Sequence, residues 1–148
     1  MTALVKGANI EKLKCGMEAA IVSGECLQIE IPVEHYHTSS LYGRRATAPA
    51  GAVVVSKVHK ADHITIAIRG TCVVVDELGI RKTIEAPQVF VTPAGTQRAI
   101  HAITEIEWVT VHTCTEQDVS TIESLLTCDT MQEYNNLFLG EIPCPSPS

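Results

Sequence analysis

Residues 57–70 read KVHKADHITIAIRG, and the fold turns on how this stretch is taken. His59 and His63 stand four apart at the start of a β-branched run that ends at Gly70. On a helix that spacing would put both rings on one face, whereas on one straight strand they would lie about 13 Å apart. The run from His63 reads as a strand, so the two imidazoles meet only if the chain turns between them. Taken by themselves they are either metal ligands brought together by a turn or two unrelated surface residues. On the strand from His63, Thr65 and Ala67 share its face, small residues that leave room beside it.

Outward from this stretch the chain continues as strand after strand. Short runs such as AVVVSKVH, TCVVVDELG, QVFVTPAG and IEWVTVHT are punctuated by turn residues at Pro49–Gly51, Gly70, Glu77–Gly79, Pro87 and Pro93–Gly95. Turn signals at that density predict an antiparallel sandwich or barrel over 31–114. Before it, 1–30 forms an arm with a weakly amphipathic helix (Ile10, Leu13, Met17, Ile21), Asn9 as its cap and Gly16 as a weak point. After it, 115–140 switches to helical period, with Thr115 and Asp118 as a loose capping pattern and Val119, Ile122, Leu125 and Leu126 as an apolar stripe. A second short helix is expected around Met131–Leu139. The tail 141–148, rich in Pro and Ser, is expected to be an extended arm or disordered.

The 148 residues suffice for one domain with its own core. A net charge of −6 argues against a generic nucleic-acid or membrane-surface binder, because both are polyanions. No apolar run approaches the roughly 20 residues that span a bilayer, and the first residues lack a signal-peptide core, so the chain reads as unsecreted. Cys15, Cys26, Cys72, Cys114, Cys128 and Cys144 form no CxxC pair, which favours reduced thiols over disulfides or a zinc knot. No nucleophile elbow, phosphate-binding loop, dinucleotide fingerprint or carboxylate pair is present, so the sequence leaves open whether the protein is an enzyme.

The region from Pro49 to His112 resembles the cupins, small jelly-roll barrels with two short motifs. The first motif ends at Gly70; His63 falls where its glutamate stands, His59 on its second histidine and Lys57 on its first. The second motif is matched by PAGTQR (93–98), with Arg98 in the place of its histidine. The elements PVEH (32–35), YGR (42–44), PAG (49–51), KVH, HITI, EAP (85–87), PAGTQR and WVTVH (108–112) are similar, more narrowly, to small cupin-like proteins of tailed bacteriophages. The resemblance implies an all-β cupin jelly-roll barrel with short flanking helices.

It also implies a site position, with Lys60–Asp62 as a hairpin turn that brings His59 and His63 onto one interior wall. His59 and His63 would be ligands of a divalent transition metal (Zn, Fe, Ni or Mn), or vestigial residues. A third ligand is sought among His112, His101 and His35. Parity ranks His112 first, because it shares a face with Trp108, while His101 lies opposite Arg98. Arg98 is expected to grip a small anion, or else to pair with Glu105 or Glu107 at a strand end. Lys57 is a weaker cation of the same kind; Trp108 is core or stacks on a ligand; Tyr42 and Arg44 border the mouth. His35 and His37 read as surface residues. The implied setting is the host cytoplasm or the virion, as a homo-oligomer, either with a metal or metabolite pocket or as an assembly part among phage structural proteins.

Overall fold

In a computed structural model, residues 8–138 are described. The chain runs α1 (Ala8–Ser23), β1 (Val33–His37), β2 (Leu41–Ala48), β3 (Val53–Val55), β4 (Val58–His59), β5 (His63–Arg69), β6 (Thr71–Asp76), β7 (Arg81–Glu85), β8 (Gln88–Thr92), β9 (Arg98–Ala102), β10 (Ile106–Thr113), α2 (Val119–Leu126), β11 (Thr127–Cys128) and α3 (Met131–Phe138). The strands form a five-stranded sheet, β1-β2-β10-β5-β8, a four-stranded sheet, β3-β9-β6-β7, and the small pair β11-β4. Every pairing is antiparallel. Among the described residues no helix is long and apolar enough to cross a membrane. The expected tail 141–148 lies outside the described residues.

The strands form where the sequence alternates, and the register converts alternation into rows. Ala46, Trp108, Ala67 and Gln88 stand side by side across β2, β10, β5 and β8, and the next row is Arg44, Thr110, Thr65 and Phe90. Beyond it His112 lies opposite Tyr42, and His63 opposite Thr92. All of these side chains share one face, and along the strands that face passes from apolar to polar. Ala48, Ala67, Cys72, Val74, Ile84, Ala102 and Ile106 form the apolar half of the core, with Phe90 and Trp108 packed against it edge to face, ring centroids 5.9 Å apart. Thr65, Thr92, His63 and His112 make the polar half.

The turn between β5 and β6 admits only glycine. Gly70 has φ +91°, and a Cβ there would sit 2.1 Å from the Glu105 carbonyl oxygen. At the other end of the barrel two helical segments close over the polar half. Ile122 and Leu126 of α2 pack on Tyr42 and Cys114, and Met131 and Tyr134 of α3 pack on Val58 and Cys128. Asp118, rather than Thr115, caps α2: its carboxylate accepts from the Thr121 N–H at 3.0 Å. Leu13 of α1 faces a shallow cleft floored by Val53, Val73, Val75 and Ala99, on the outer face of the four-stranded sheet. Cys15, Cys26, Cys72, Cys114 and Cys128 are free thiols.

Candidate functional site: a histidine cluster in the polar half of the barrel

The turn at 60–62 does bring the two histidines together, though not as a hairpin. β4 pairs with β11, and β5 pairs with β8 and β10, so Lys60–Asp62 forms a corner between separate strand pairs. What fixes the corner is the loop 93–96. The His59 N–H donates to the Thr96 carbonyl at 3.1 Å, and the Gly95 N–H to the His59 carbonyl at 2.8 Å. The Asp62 carboxylate accepts from the Ala94 N–H at 2.7 Å, and His63 stands opposite Thr92. The PAG turn therefore holds the backbone of His59 and the side chain of Asp62, the residue before His63.

The rings of His59 and His63 lie 4.4 Å apart, centroid to centroid. His112 from β10 completes the group, 4.3 Å from His63 and 6.3 Å from His59. His63 and His112 are buried and His59 is half-buried. Burial, with the neighbouring imidazoles opposing a second charge, pushes His59 from its ordinary 6.5 down to about 3 and His112 to about 4. Burial also lowers His63, against the pull of the Ala61 carbonyl. All three rings are therefore neutral near pH 7, each with one unprotonated nitrogen.

The hydrogen bonds show which nitrogens are spoken for. His63 Nδ1 faces the Ala61 carbonyl at 3.4 Å, and His112 Nε2 meets the Thr110 hydroxyl at 2.9 Å. His59 Nδ1 and His63 Nε2 are buried without any partner. Such atoms are uncommon in folded proteins and point to something that completes them. Among the described residues no three His, Cys, Asp or Glu side chains already form a group that could hold a metal ion. The bond of His112 Nε2 to Thr110 is the visible obstacle to a third nitrogen.

Arg98 points into the barrel, in register with Asp76 on β6 and on the face of Ile100 and Ala102. Its guanidinium donates to the Thr92 hydroxyl at 2.9 Å, which in turn is 2.6 Å from the Thr65 hydroxyl, and it lies 5.4 Å from the centre of the Phe90 ring. Burial lowers its pKa, yet a guanidinium remains charged. Among the described residues no carboxylate forms an ion pair with it, although the charges of Glu77 and Asp76 favour its protonated form; Glu107 is bound by Arg45, and Glu105 by Arg69. His101 points outward and is exposed, as parity requires.

One of the sequence-derived assignments needs correction. Lys57 faces away from the cluster: its ammonium lies 2.6 Å from Glu123 and 3.2 Å from Asp129, tying the start of β4 to the α2 and α3 region. Of the two readings open to Trp108, the structure matches core packing: it sits in the apolar half against Phe90, remote in the row order from the histidines. Tyr42, expected at the mouth, is buried beside the cluster, stacked 5.9 Å from His112. His35 and His37 are exposed, as expected, and both contact Tyr42: the Tyr42 hydroxyl meets His35 Nδ1 at 2.6 Å, and the His37 ring lies 5.4 Å from Tyr42. Their i, i+2 spacing on β1 was the available signal, but only the pairing of β1 with β2 reveals Tyr42 as their neighbour.

No family model matches the chain, and no curated protein matches it by sequence. Solved structures do match. The chain is similar to KdgF from Halomonas sp., at 20% identity and TM-score 0.51, over 63% of this chain and 87% of that one. A conserved double-stranded β-helix protein of Klebsiella pneumoniae gives 17% identity and TM-score 0.51, over 60% and 81% of the two chains. A cupin-family protein with the same fold from Methanocaldococcus jannaschii gives 16% and 0.50, over 60% and 84%. At these identities the likeness is one of fold, and with the strand order and interior rows above it gives the chain the double-stranded β-helix fold seen in cupins, a mostly β jelly roll with three helices among the described residues.

Proposed function

We propose that the polar half of this barrel is a binding pocket in which His59 and His63, joined by His112, take up a divalent transition metal while Arg98 holds the anionic end of a small molecule. The observation that carries this reading is the pair of buried, unpartnered ring nitrogens, His59 Nδ1 and His63 Nε2, in a cluster of three neutral imidazoles. The Ala61 carbonyl facing His63 Nδ1 favours the tautomer whose Nε2 carries a lone pair. Imidazole-only sets suit Zn, Fe, Ni or Mn better than Mg or Ca. When bound, such a metal supplies Lewis acidity; the chain's own part is to keep the rings neutral, to exclude water with Tyr42 and α2, and to orient an anion on Arg98.

The test is metal content and metal titration of the full chain. Wild type grown in metal-replete medium should carry or take up metal, and His59→Ala and His63→Ala should each weaken uptake at least about tenfold. A wild type that binds no transition metal sinks the metal component.

A second reading, a metal-free pocket for an anionic small molecule, is favoured by the charge balance. Among the described residues Arg98 forms no ion pair, and its charge acts on His59 and His63 while that of Arg44 acts on His59 and His112. Under this reading phosphate or carboxylate ligands stabilise wild type in thermal-shift assays, and Arg98→Ala abolishes the shift. On the resemblance to phage-encoded cupin-like proteins, we place the chain among phage-type cupins acting in the host cytoplasm or in the virion. A purely structural role predicts many copies in purified virions and no ligand response.

A further inference from the structure

Resting on the reading of the polar half as an anion-binding pocket, we propose that its ligand is a small dianion, two anionic groups on a short chain, gripped at one end by Arg98 and at the other by Arg44. Arg44 stands on β2 in the inward-facing row Arg44, Thr110, Thr65 and Phe90. Tyr42, two residues before it on the same face, stacks on His112. Arg98 comes from β9 in the other sheet and reaches the far end of that row. Its guanidinium lies 5.4 Å from the centre of the Phe90 ring and 2.9 Å from the Thr92 hydroxyl. The two cations therefore flank one patch of the pocket floor.

Neither cation is neutralised by contact. Among the described residues no ion pair includes Arg44 or Arg98. Asp76, which faces Arg98 in the register, commits a carboxylate oxygen to the Leu78 and Ile80 N–H groups, both at 2.9 Å. The neighbouring lysines are occupied elsewhere, Lys57 by Glu123 and Asp129 and Lys60 by the Ser124 carbonyl. Between the arginines the floor carries hydroxyls and imidazoles and no carboxylate: Thr110, Thr65, His112, His63 and Thr92. Both positive fields reach the same rings, since Arg44 opposes protonation of His59 and His112, and Arg98 that of His59 and His63. A monoanion answers one of these charges; a dianion answers both.

The spacing sets the size of the ligand. In the order β2-β10-β5-β8 the outer strands are three spacings apart, about 14 Å along a flat sheet. Both arginines extend inward from the ends of that span, and each guanidinium can take a carboxylate or phosphate bidentately. What is left between them suits a backbone of a few carbons.

Calorimetric titration of the full chain with dicarboxylates from malonate to adipate, beside monocarboxylates of equal length, decides the matter. The best dicarboxylate should bind wild type at least about tenfold more tightly than its monocarboxylate. Arg44→Gln should bring the dicarboxylate down to the affinity of the monocarboxylate. This variant should fold, because Arg44 is exposed and ion-paired to no described residue. Arg98→Ala should weaken both series; if it fails to fold, the comparison on Arg44→Gln decides alone. If no carboxylate binds wild type, or if Arg98→Ala leaves binding intact, the anion pocket falls and the dianion with it. If both series bind Arg98-dependently but equally, or if the dicarboxylate advantage survives Arg44→Gln, the pocket stands and the two-ended ligand is overturned.

Discussion

Thr92 shows how the polar half is held. Its hydroxyl, fully buried, joins Arg98 to Thr65, so one oxygen satisfies a guanidinium N–H and a second hydroxyl. Thr92→Val keeps the shape and removes both bonds; it should cost about 1–3 kcal/mol in denaturant unfolding, since Thr65 and Arg98 are left incomplete. The histidines give a pH signature of their own in the metal-free protein. Unfolded, their rings take protons near the ordinary 6.5, whereas folded His59 does so only near 3 and His112 near 4. Between those values the unfolded chain holds more protons, so this stability is fully present above about 6.5 and is lost as pH falls toward 3. The urea midpoint should therefore drop between pH 7.5 and pH 4.5, and His59→Gln should flatten that slope. An equal slope in the variant would mean that other groups carry the acid sensitivity.

Two elements of only a few residues position the site. The PAG turn bonds to the backbone of His59 and to the Asp62 carboxylate, so it sets the distance between the two histidine-bearing strands. Asp62→Ala removes the side-chain half of that clamp without touching a ring; metal or ligand affinity should fall several-fold while the thermal midpoint moves by only a few degrees. The β5–β6 turn is stricter. Gly70→Ala meets both a positive φ and the Glu105 carbonyl, so it should destabilise by about 2–4 kcal/mol, read as a shifted denaturant midpoint. Lys57 belongs to this scale rather than to the site, since its ion pairs with Glu123 and Asp129 fasten the helical closure to β4. Exposed pairs of this kind are worth little, so Lys57→Ala should change stability by well under about 1 kcal/mol.

Across the whole molecule the interior is divided, with aliphatic and aromatic packing toward one end and imidazoles, hydroxyls and a guanidinium toward the other. That division predicts opposite phenotypes. Trp108→Ala should cost about 3 kcal/mol of stability with ligand affinity little changed. His63→Ala should cost binding with a much smaller stability loss, because the ring it removes leaves one nitrogen unbonded already. Equilibrium unfolding and calorimetric titration of the two variants separate these outcomes, and a Trp108 variant that loses binding first would return that ring to the site. The helices α2 and α3 complete the division by closing the polar end with Ile122, Leu126, Met131 and Tyr134.

Strand content, the Gly70 turn and the shared face of His63, Thr65 and Ala67 were legible in the sequence, because period-two alternation and turn chemistry act within a few residues. Arg98 and the three histidines were marked out by the resemblance to cupins, and His112 joins His63 through the pairing of β10 with β5. Lys57 was misplaced, and the core reading of Trp108 and the contacts of His35 and His37 with Tyr42 stayed open, because each depends on partners far along the chain: Glu123 and Asp129, Phe90, and Tyr42. Folding in three dimensions settles those. Strand register and the docking of α2 set which side chains share a row, and neither leaves a period or a spacing for the one-dimensional reading to find.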